Sequence, residues 1–152
     1  MTTRDQPIKI LFVESVDDAI TRRRHRLLAA DPRLTRYQLY YFYAITLTPE
    51  EQSMLELGIA PDLMLVREEL AMRLEQEIQK VDPQFVLLHT GFVFRRFPSV
   101  FFAVFTELRN KYRNCSFGLQ PREGLKIDED AFDQTEEIAN LQRLIFRDIL
   151  DL

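Results

Sequence analysis

Five strand-length apolar runs alternate along this chain with stretches of helical character, at residues 8–13, 37–45, 62–66, 85–88 and 115–119. Lys9 is the one charged side chain in the first run, and the fourth, Phe-Val-Leu-Leu, has no polar residue at all. A strand apolar on both sides has to be covered on both sides. The connections are long enough for helical crossovers, which parallel pairing requires. The predicted fold class is therefore α/β: a five-stranded parallel sheet with helices on both faces, in three layers. At 152 residues, 1–152 reads as a single domain.

Local signals place the helices. Ser15 and Asp18, three apart, can form a capping box for a helix whose apolar side would be Ile20, Leu27 and Leu28, ending at Asp31 and Pro32. Thr48, Pro49 and Glu51 are a second box with proline at the first helical position, and Gly58 stops that helix. Leu70, Leu74 and Ile78 give residues 68–81 one apolar face. Ser99 is the expected cap of a fourth helix reaching Tyr112, with Phe101, Phe105 and Leu108 as its stripe. A last amphipathic helix is expected over 131–150, and the acids from Asp128 to Glu137 read as its solvated start.

Composition excludes several classes. A chain that is 46% hydrophobic, with 12 Phe, is not mainly disordered. Four glycines leave no Gly-rich phosphate cradle, and no nucleotide-loop, serine-elbow, paired-cysteine or zincin motif occurs. Cys115 is the only cysteine, so an intrachain disulfide is excluded and a reduced, buried thiol in a cytoplasmic protein is the simplest reading. The net charge of −4 gives no reason to expect nucleic acid. Arg22, Arg23, Arg24 and Arg26, with His25, read as a solvated helix face. The first seven residues have no apolar signal core, and no apolar run approaches the ~20 residues that cross a bilayer, so no membrane contact is expected.

Chemistry in such sheets gathers beyond the carboxyl ends of the strands. Those ends offer Glu14, Asp17 and Asp18 after the first run, Arg67 after the third, His89 and Thr90 after the fourth, and Gln120 after the fifth. The three acids have the oxygen chemistry of a magnesium site. The preferred reading is a charge-compensated cluster, with Arg67 contacting at least one acid, and neither a metal nor a cofactor is assigned. His89 has a general base's ordinary titration range. It and Thr90 nevertheless point to opposite sides of a strand, so adjacency alone makes no nucleophile–base pair.

Residues 10–14 with Asp17 and Asp18, then 61–66, 85–90 and 117–121, make the chain resemble the receiver domain of two-component response regulators, a flavodoxin-like three-layer sandwich. The resemblance covers about residues 8–121. It implies acids after the first strand that bind magnesium, an aspartate after the third that accepts phosphate, a hydroxyl after the fourth and a lysine after the fifth. Glu14, Asp17 and Asp18 match the acids and Thr90 the hydroxyl, but Arg67 stands at the acceptor position and Gln120 at the lysine position. What the resemblance then implies is a phosphorylation-independent, non-enzymatic signalling module that binds a protein partner. The alternative is a small enzyme or a binder of a compact anion around Arg67, His89 and Thr90. Phe92, Phe94, Arg95, Arg96 and Phe97 form the expected contact surface for a partner or a homodimer, since aromatic and arginine side chains anchor interfaces.

Overall fold

The sequence alternates strand and helix because β1 (Ile8–Glu14) supplies the centre of a parallel sheet that each later crossover returns to. The computed structural model describes residues 6–122 and 124–152. The N-terminal stretch read above for a leader lies, over residues 1–5, outside the described residues. β2 (Tyr37–Tyr43), β1, β3 (Phe85–Leu88) and β4 (Ser116–Leu119) stand side by side in that order, all parallel.

Side-chain alternation divides the core into two layers. Leu11, Val13, Val86, Leu88, Phe117 and Leu119 face one way. They meet α3 (Arg67–Val81), the short α4 (Phe92–Arg96) and α5 (Pro98–Lys111). Ile10, Phe12, Phe85 and Leu87 face the other way. They meet α1 (Ala19–Ala30), α6 (Glu136–Gln142) and the π-helical continuation Arg143–Ile149. The period of two along β1 and β3 is thus buried on both sides, as continuous apolar runs require. α2 (Pro49–Glu56) carries the expected capping box, with Glu51 N donating to Thr48 Oγ1 and Thr48 N to Glu51 Oε1, but buries no residue fully.

Among the described residues the sheet has four strands, not five. Residues 62–66 pair with no described strand, and β1 already has β2 on one side and β3 on the other. The segment instead lies along the protein's surface, with Leu63 inward and Met64 83% exposed. A central strand needs cover on both faces, and this one has cover on one. Other expected bounds shift as well. Asp18 rather than Ser15 caps α1, accepting from Thr21 N. α5 begins at Pro98 with no side-chain cap, and the final helix is broken into a 3-10 turn at Glu129–Ala131, α6 and the π-helical stretch.

β4 sits close beneath α6. A Cβ on Gly118 would meet Ile138 Cγ1 at 2.8 Å and Gln142 Nε2 at 2.9 Å. Gln142 Nε2 also donates to the Leu119 carbonyl at 2.7 Å, tying helix to strand. Gly118→Ala is expected to lower stability by about 1–3 kcal/mol through overpacking, measured as an earlier midpoint in urea.

No helix among the described residues is long and apolar enough to cross a membrane. Cys115, immediately before β4, is buried with its Sγ donating to the Pro83 carbonyl, and burial raises its thiol to about 11, which keeps it unreactive.

Candidate functional site

β1 ends on a carboxylate that the fold buries. Glu14 is 4% exposed, and an isolated buried charge is costly unless paired. Arg24 Nη2 donates to Glu14 Oε2 at 3.3 Å, and His25 Nε2 lies 3.3 Å from Glu14 Oε1. Both partners come from α1. Burial on its own would raise the Glu14 pKa, but the His25 hydrogen bond and the Arg24 charge outweigh it and hold the carboxyl below its ordinary value. His25 is held flat against the Tyr41 ring, with centroids 3.5 Å apart.

His89, after β3, closes the group. Its Nδ1 lies 3.5 Å from Glu14 Oε2 and 3.4 Å from Arg24 Nη2. A guanidinium only donates, so the Arg24 contact is a hydrogen bond when Nδ1 carries a lone pair, and the Glu14 contact is one when Nδ1 carries the proton. Burial lowers the His89 pKa to about 4, with the Glu14 charge opposing and Arg24 adding. Arg24 Nη2 also donates to Thr21 Oγ1 at 3.1 Å. Its two hydrogens therefore serve three acceptors.

Beside this group, Gln120 Oε1 accepts from both Thr90 N, at 3.1 Å, and Thr90 Oγ1, at 2.8 Å. The Thr90 hydroxyl proton is thus directed to an amide oxygen and away from His89. Ser15 Oγ accepts from Val93 N at 3.2 Å, and a Cβ on Gly91 would fall 2.5 Å from it, so the turn after β3 is packed hard onto the end of β1. Among the described residues every buried side-chain polar atom has a partner.

Over these residues opens a cleft of about 580 Å³, bounded by the carboxyl ends of β1, β3 and β4 and the first turns of α1. Arg24, Arg95, Arg122 and Arg147 line it with Asp18, while Ile20 and Phe92 supply apolar wall. That volume is in the usual range for a small-molecule site.

Comparison with known proteins adds no assignment: no protein-family model, no curated protein and no solved structure matches this chain. The site stands on its own geometry.

The residues singled out from the sequence are distributed unevenly. Glu14, His89, Thr90 and Gln120 come together at the carboxyl edge. Asp18 borders the cleft but spends its carboxylate on capping α1, and Asp17 forms an exposed pair with Arg22. Arg67 does not join them. With residues 62–66 outside the sheet, it opens α3 as an exposed residue, and no ion pair among the described residues links it to Glu14, Asp17 or Asp18. The expected Arg67 contact is replaced by Arg24. Among the described residues no three of Asp, Glu, His and Cys are grouped to hold a metal ion.

The surface expected around the phenylalanines also divides. Phe94 is 1% exposed and packs against Phe101 and Phe102, so it belongs to the core. Phe92 and Phe97 are half-buried beside the exposed Arg95 and Arg96. Arg96 reaches back to the Pro61 carbonyl at 2.8 Å and pins the unpaired segment in place.

Sequence reading missed Arg24 and His25 as partners of Glu14, having assigned them to solvent. A signal was present. Thr21 and Leu28, the buried residues of α1, are seven apart, and Arg24 and His25 fall between them at helical spacing. Of the expected apolar side, Leu28 is buried in the core, while Ile20 and Leu27 are 68% and 48% exposed. α1 is turned so that Arg24 and His25, not Ile20 and Leu27, meet the end of β1.

Proposed function

We propose that this chain is a non-enzymatic regulatory module of receiver-like organisation, working without phosphorylation and acting through a protein partner. The observation that carries the reading is the state of Glu14: the buried acid at the end of the first strand has its two oxygens taken by Arg24 and His25, with His89 against them. A carboxylate committed to a guanidinium and a ring nitrogen of its own chain is a structural tie, not an open ligand for a divalent ion. Arg67, which the resemblance matches to the phospho-acceptor, lies away from this edge at the start of α3 and is a guanidinium that cannot form an acyl phosphate. Thr90 and Gln120 bond to each other, so hydroxyl and amide are already committed without a phosphoryl group between them.

Phe92 and Phe97, with Arg95 and Arg96, are the surface assigned to the partner, since half-buried aromatics flanked by arginine suit an interface. Incubation with acetyl phosphate and magnesium, followed by intact mass measurement, is expected to return the unmodified mass. A stoichiometric phosphoryl adduct on a residue of this edge overturns the reading.

A further inference from the structure

The cleft at the carboxyl edge carries charge that its own walls do not balance. Arg24 is committed to Glu14. Of the other lining cations, Arg122 donates to the Thr90 carbonyl at 3.3 Å, and neither it nor Arg95 nor Arg147 has an ion-pair partner among the described residues. Among the described residues the lining carboxylates are Asp18, which is turned to the backbone of α1, and the α-carboxylate of the last residue, Leu152. Set against three guanidiniums, these leave one positive charge in excess among the described residues. The three guanidiniums face one concavity and raise the local concentration of anions there. An oxyanion answers that excess, and the planar fork of arginine is shaped to hold one by paired hydrogen bonds.

The apolar wall has its own consequence. Ile20 is 68% exposed beside this cationic surface. A free inorganic ion would leave it in water, whereas a ligand with an organic body would cover it. The space, about 580 Å³, is also far larger than one oxyanion fills.

We propose that this cleft binds a small organic phosphate, with its phosphoryl oxygens on Arg95, Arg122 and Arg147 and its organic body against Ile20 and Phe92. This gives the non-enzymatic module proposed above a ligand at its carboxyl edge, sharing Phe92 and Arg95 with the partner surface, and it rests on that reading. The ligand joins α1, the turn after β3 and the segment after β4, which are the elements a regulatory module would have to hold in one arrangement.

Titration calorimetry at fixed ionic strength tests this with inorganic phosphate, AMP and, as control, sulfate. Saturable binding of AMP, tighter than phosphate and sulfate, is expected. Arg122→Gln and Arg147→Gln, both at exposed side chains that leave folding intact, are each expected to weaken it by roughly tenfold or more, the loss that follows from one charge-assisted hydrogen bond. Ile20→Asp is expected to weaken AMP and to affect phosphate less. Equal affinity for phosphate and AMP overturns the organic-body assignment, and AMP binding no tighter than sulfate, or unmoved by both arginine variants, overturns the site. Neither result bears on the phosphodonor experiment, whose mass shift reports separately on the non-enzymatic reading.

Discussion

Glu14→Gln is expected to lower the free energy of unfolding by about 3–5 kcal/mol, the cost of breaking a buried ion pair by removing one partner. The substitution keeps shape and volume, so packing is not what changes. It leaves Arg24, whose side chain is 16% exposed, without a counter-charge, and turns an amide NH₂ towards donors that previously met a carboxylate oxygen. Urea unfolding at neutral pH measures the loss as a lower midpoint at unchanged slope. The double variant Glu14→Leu with Arg24→Met is expected to recover part of it, because removing both charges also removes the burden of burying them. A Glu14→Gln variant within about 0.5 kcal/mol of the parent, the range of ordinary surface changes, would mean that water reaches the pair and that the edge is not held by charge.

Acid is expected to undo the same edge through His89. The ring titrates near 6.5 when unfolded and at about 4 when folded, because burial disfavours its cation. Between those values the unfolded chain takes up a proton that the native chain refuses, so stability falls as pH falls. The loss begins near pH 6.5, amounts to about 3 kcal/mol by pH 4, and is absent above 6.5. Glu14 acts in the same direction lower down: its folded pKa is depressed, so its contribution, intact above 4.5, is lost as pH drops through the native value. His89→Gln separates the two. Denaturant unfolding across a pH series is expected to show a shallower slope between 6.5 and 4 in the variant, with the Glu14 loss below 4.5 retained. Parallel curves for parent and variant would show that His89 is not a buried neutral ring.

What the sequence revealed, and what it hid, follow from the range of the forces involved. The Thr48–Glu51 box was legible because its donors and acceptors are three residues apart. β1 and β3 were legible because apolar runs buried on both faces tolerate few other arrangements. Residues 62–66 have nearly the same composition, yet whether such a run is paired depends on what else borders β1, and that is settled many residues away. The error at Arg67 followed directly, since its predicted place was the end of that missing strand. The orientation of α1 was hidden for a different reason. Hydropathy assigns Arg24 and His25 to water, and only the burial of Glu14 in another element reverses the preference.

The pairing of β1 with β3 sets a condition on how this chain acquires its structure. Lys9 and Gln84, bonded across that boundary, are 75 residues apart, so the central strand gains its second neighbour only after more than half the polypeptide has been gathered in. Helices can form and dissolve locally before then, but they have just a two-stranded ribbon to rest on, and such a ribbon is marginal by itself. Closing so long a loop delays the reward for every contact that depends on it. The burial of Glu14 belongs to that late event, because His89 reaches it only when β3 arrives. The charged edge therefore cannot close before β1 and β3 have met, and its closure reports that meeting.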